Sequence, residues 1–113
     1  MAVFMAAFPV LPGKEDDARK FAEETRGRID EFGASQKRLG ITKEEWALQQ
    51  TPMGSLMLVR FECRDPEAAL AEFGQSQTAF DLWSKGRIQE VSGVDMAAPS
   101  DDPPPEIVLD WTA

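Results

Sequence analysis

The sequence predicts an α+β domain, an antiparallel four-stranded sheet with helices on one face. Three observations lead there. Trp46 to Thr51 and Ser55 to Cys63 are strand-favouring runs on either side of Thr51-Pro52-Met53-Gly54, which is turn chemistry. Lys14 to Arg38 carries apolar residues at three- and four-residue steps, the mark of an amphipathic helix. Ile107 to Trp111 closes the chain with a strand-like alternation.

The elements follow in order. Ala2 to Val10 reads as a strand with Phe4, Ala6 and Phe8 on one face and Val3, Met5 and Ala7 on the other. Apolar residues on both faces predict a central strand covered on both sides. Pro9, Pro12 and Gly13 end it. The first helix follows from Lys14, with Ala18, Phe21, Ala22, Thr25, Ile29, Phe32 and Leu39 forming its stripe. Glu15, Asp16 and Asp17 suit the positive end of its dipole, Gly27 and Gly33 both weaken the helix with room for a break near Gly33, and Gly40 is a stop. Thr42 to Glu45 has the spacing of a capping box and reads as one helical turn.

In the hairpin, pairing Thr51 with Leu56 sets Leu48 against Val59 and Trp46 against Phe61 on one face. That face is nearly all apolar and reads as the helix-covered side. The other carries Ala47, Gln49, Leu56, Leu58, Arg60 and Glu62. Asp65-Pro66-Glu67 starts a helix, with Asp as cap and Pro in the first turn, and Gly74 ends it. A further helix runs from about Thr78 to Val91 and stops at Gly93. The proline-rich acidic segment Ala97 to Pro105 is a stiff loop that leads to the last strand. One domain, residues 1–113, accounts for the whole sequence.

Composition bounds the function. The net charge is −8, with no cluster of Lys or Arg, so neither nucleic acid nor an anionic membrane is an expected partner. The apolar N-terminal run is too short to span a bilayer and lacks a preceding basic region, so a cytoplasmic protein is the default. The lone cysteine, Cys63, rules out an intrachain disulfide and reads as a small buried hydrophobe. The chain has no His, which removes His-ligated haem, His-containing zinc sites and Ser-His or Cys-His nucleophile pairs. Asp16-Asp17 reads as a helix first turn and Asp101-Asp102 as a solvated loop, so no metal is expected. No haem, flavin or other cofactor is expected either.

The element order is the split βαββαβ pattern of a ferredoxin-like fold. With FMAAFPVLPGKEDDARKF, LMLVRFECRDPEAAL and PEIVLDW, the chain resembles the dimeric α/β-barrel superfamily, in which two such sheets pack face to face. The segment FDLWSKGRIQEVSGVD is similar to a small uncharacterised bacterial family of this kind, a domain of unknown function. The resemblance implies a homodimer closed over the open sheet face. Cofactor-free monooxygenases of that superfamily commonly use Asn, Trp and His in the pocket, and this chain has neither Asn nor His, so those roles do not transfer.

Two functional classes remain. The first is a homodimeric module that binds a small hydrophobic or anionic molecule in a pocket by the open sheet face. Arg60 would anchor an anion or carbonyl, and Gln49 would add a hydrogen bond. Trp83 or Trp46 would supply a flat wall, with Glu62 and Leu58 beside them. Against this stand plainer readings: Arg60 paired with Glu62, and both tryptophans in the core. The second class is a cofactor-independent monooxygenase or isomerase acting on a small hydrophobic substrate, with Glu62, Asp81, Glu90 or Asp95 as general base. Whether the protein is an enzyme is left open by the residues alone.

Overall fold

The computed structural model describes every residue except Pro99 and Asp101. Its elements are β1 (Ala2–Val10), α1 (Glu15–Arg26), α2 (Ile29–Leu39), β2 (Ile41–Thr51), β3 (Gly54–Cys63), α3 (Pro66–Gln75) and α4 (Ala79–Ser92). The three strands form one antiparallel sheet in the order β1-β3-β2, and the helices cover one of its faces. No helix among the described residues is long and apolar enough to cross a membrane.

The expected four-stranded sheet is corrected to three strands. Ile107–Trp111 belongs to no strand, and its large side chains lie in solvent. Pro103, Pro104 and Pro105 immediately precede it. Consecutive prolines fix φ, remove amide donors and favour an extended backbone rather than a ladder. The four-stranded ferredoxin-like sheet needed that fourth strand, so the fold class expected from the sequence is not the one this chain adopts. β1 is consequently an edge strand and not a central one.

The hairpin forms with a register two residues away from the expected one. Thr51 pairs with Gly54, Leu48 with Met57 and Trp46 with Val59. The turn is tighter because Thr51 folds onto it: its Oγ1 donates to the Gly54 carbonyl at 2.6 Å and accepts from the Met53 amide. A slip of two leaves every side chain on its expected face. Glu44, Trp46, Leu48, Met57, Val59 and Phe61 therefore share the helix side, while Ala47, Gln49, Leu56, Leu58, Arg60 and Glu62 share the other. β2 also begins earlier than expected, at Ile41, where a bulge between Ile41 and Lys43 replaces the helical turn predicted over Thr42–Glu45.

The long first helix is broken at Gly27-Arg28, not at Gly33, which lies within α2. Thr25 Oγ1 bonds back to the Phe21 carbonyl at 2.8 Å, a contact that weakens a helix end. Arg28 leaves the helical region and lays its guanidinium 4.5 Å from the Trp83 ring centre. α3 runs through the expected stop at Gly74 to Gln75, while other ends match their sequence signals. Asp65 Oδ1 accepts from the Ala68 amide at the start of α3, and Thr78 Oγ1 from the Asp81 amide at the start of α4. Gly40 and Gly93 end α2 and α4 in the left-handed region, at φ 76° and 78°.

Two apolar clusters fill the space between the layers. Val10, Ala18 and Val91 pack with Leu48 and Met57 at one end. Phe61, Cys63 and Ala69 pack with Phe4, Leu39, Ile41, Val59 and Leu70 at the other. Phe4 stacks on Phe61 at 4.7 Å and Phe21 on Trp46 at 5.1 Å, geometries that add to simple burial.

Candidate functional site

A cavity of about 120 Å³ lies between the clusters, walled by the sheet on one side and the helices on the other. Phe4, Phe8, Met57, Val59 and Phe61 line it from the sheet, and Phe21, Phe32, Phe80, Ile88 and Val91 from the helices. A volume of this order in an apolar setting accommodates a molecule about the size of one aromatic ring.

The charged group on this wall is Glu44. Strand alternation places it on the helix side, two residues from Trp46. Trp46 Nε1 donates to Glu44 Oε2 at 2.5 Å, and Gln36 Nε2 donates to Oε1 at 2.9 Å. Burial pushes the Glu44 carboxyl above its ordinary pKa, and the two hydrogen bonds only partly offset that. Each oxygen accepts one bond from the protein and keeps acceptor capacity for a second. Arg60 does not neutralise Glu44, because it extends from the opposite face of the sheet.

Gln36 is spent on Glu44, and two of the three serines on the wall are already used. Ser35 Oγ donates to Asp81 Oδ1 at 2.6 Å, and Ser92 Oγ donates to the Ile88 carbonyl. Asp81 is fully buried and also accepts from Ser76 Oγ at 2.6 Å and Arg38 Nη2 at 2.9 Å. Burial alone would raise its pKa. The bonds from Ser35, Ser76 and Arg38 outweigh burial and hold it below the ordinary aspartate value. Asp81 therefore ties α2 to α4 as a structural anion. Lys85 likewise is spent on the carbonyls of Gly74 and Ser76.

The predicted site residues fall in two places. Arg60, Gln49, Glu62 and Leu58 share the outer face of the hairpin, away from the cavity. There Arg60 bonds Glu62 at 2.9 Å and approaches Glu45 at 3.5 Å, the plainer of its two readings. Trp83 packs between Phe21 and Phe80 under Arg28. Trp46 lines the cavity wall. Of the carboxylates considered as a base, Glu62 and Glu90 are paired with arginines, and Asp95 caps the Ala97 amide. Glu44 was not among them. The alternation Glu44, Trp46, Leu48 would have found it had the strand been extended back past Trp46. Among the described residues no three His, Cys, Asp or Glu side chains converge as a metal site requires. No family model, curated protein or solved structure matches the chain.

Proposed function

We propose that the protein binds a small, neutral, largely apolar molecule in the cavity between sheet and helices, with Glu44 as its hydrogen-bond acceptor. The observation that supports this is a single carboxylate, held by Trp46 and Gln36, on a largely apolar wall. A polar group kept there at the cost of desolvation is what a site uses to orient a ligand. The volume favours a ring-sized molecule, and the half-buried carboxylate disfavours an anion by like-charge repulsion. The anionic class expected for a pocket at Arg60 is accordingly dropped in favour of a neutral hydrogen-bond donor. Native mass spectrometry of protein purified from its own host tests the proposal. Wild type should retain a neutral adduct, and Val59→Phe, which fills the cavity, should lose it. An adduct that survives the filling substitution defeats the reading.

A second reading is a cofactor-independent isomerase or oxygenase on a small hydrophobic substrate. The raised pKa of Glu44 favours it, because a carboxylate made more basic by an apolar setting is a better proton acceptor. Turnover of a bound ligand by wild type, lost in Glu44→Gln while binding persists, would select this reading over simple binding.

A further inference from the structure

We propose that the C-terminal arm, Ile107 to Trp111, pairs with the free edge of β1 in a second copy of the chain. Within one chain the sheet stays three-stranded. The arm is donated to the neighbour.

Among the described residues two features each lack a partner, and each fits the other. The first is the edge of β1. Its ladder with β3 runs without a bulge from Ala2↔Cys63 to Val10↔Ser55, and no residue from Ala2 to Val10 is charged. Exposed edge strands are usually protected by charged side chains, bulges or short length. The opposite edge, β2, has such protection: Lys43, Glu44 and Glu45, and the bulge between Ile41 and Lys43. On β1 only Pro9, near one end, acts as a guard.

The second feature is the arm. Ile107, Val108, Leu109 and Trp111 are 57%, 85%, 83% and 78% exposed. Single exposed hydrophobics are ordinary, but four within five residues form a patch that water does not favour. All four are residue types favoured in strands or readily accommodated there. Ile107, Leu109 and Trp111 alternate on one side and would continue the row of Phe4, Ala6 and Phe8. Val108 would lie beside Val3, Met5 and Ala7 on the outer face.

The prolines favour a neighbour over the same chain. Pro103 to Pro105 form a stiff spacer of roughly 9 Å at polyproline rise, and the arm beyond it leaves its large side chains in solvent. Reciprocal exchange between two copies closes by a two-fold axis. At about 100 Å² of apolar area for each large side chain, one arm buries roughly 400 Å² and covers a similar area of its partner. Two arms then bury roughly 1,600 Å², the size of a standard specific interface.

Light scattering on the full chain at micromolar concentration tests this. The expected mass is twice the 12.5 kDa chain, returning to the chain mass in Leu109→Asp and in a chain ending at Pro105. Leu109 is exposed within the chain, so its replacement leaves the fold intact by circular dichroism. A full chain of single mass, or two variants that both keep the doubled mass, overturns the proposal. Direction of pairing is read from Met5→Cys combined with Val108→Cys, since Cys63 is buried. Oxidation should give a covalent dimer on a non-reducing gel. A disulfide closed within one chain overturns the exchange. Neither result bears on the cavity, whose ligand is measured separately.

Discussion

Replacing Asp81 by Ala should cost about 3 kcal/mol of stability. Asp81 is fully buried and accepts from Ser35, Ser76 and Arg38. Removing the acceptor leaves the Ser35 hydroxyl, itself 2% exposed, without its partner, at about 1–3 kcal/mol. The Ser76 bond to a charged group contributes about 1.5 kcal/mol more. Arg38 is 41% exposed and regains water, so its share of the ion pair is discounted heavily. Asp81→Asn keeps the shape and loses the charge, and should cost less. The carboxyl is held below its ordinary pKa by those bonds, so the folded state binds its proton less readily than the unfolded chain. Its contribution is therefore present above the ordinary aspartate pKa and disappears as pH falls through the depressed value. Urea unfolding at pH 7 and at steps below pH 4 measures both effects. An Asp81→Ala loss under about 1 kcal/mol, or an acid dependence unchanged in Asp81→Asn, would refute the assignment of Asp81 as a structural anion.

Two further substitutions test other parts of the account. Gly74→Ala should destabilise by about 2 kcal/mol or more in urea unfolding, because a Cβ there would lie 2.6 Å from the Met96 carbonyl oxygen, a backbone atom. Glu44→Gln should be at least as stable as wild type at neutral pH. The folded state holds the Glu44 proton more tightly than the unfolded chain, so wild-type stability is fullest at acid pH and falls as pH rises through the raised pKa. The variant's relative stability should therefore grow over that interval, read by thermal unfolding against pH.

The sequence carried face assignments better than connectivity. Alternation in β2 and β3 told the helix side from the outer side even though the turn shifted pairing by two residues. Asp65-Pro66 and Gly93 marked helix ends through local chemistry that tertiary contacts did not override. The fourth strand was misread because IVLDW has strand propensity but no intrachain partner among the described residues, and propensity does not supply one. Glu44 was missed because Thr42–Glu45 satisfies a capping-box pattern, and only packing decides between that turn and a strand start. Gly27 was a weak point by its residue type, but the contacts Arg28 makes at the break, to Phe80 and Trp83, come from more than fifty positions away. The outer-face group around Arg60 was legible as a group, but its pairing to Glu62 and Glu45 leaves the cavity as the better candidate.

The central claim is that the cavity takes a neutral ring-sized molecule and that Glu44 accepts its hydrogen bond. Isothermal titration of wild type with phenol, toluene and benzoate at neutral pH tests it most directly. One charge-assisted hydrogen bond is worth about 1.5–3 kcal/mol, so phenol should bind roughly tenfold or more tighter than toluene. Benzoate should bind weakest, and Glu44→Leu should erase the preference for phenol. Benzoate binding tightest, or a phenol preference that persists in Glu44→Leu, would contradict the account.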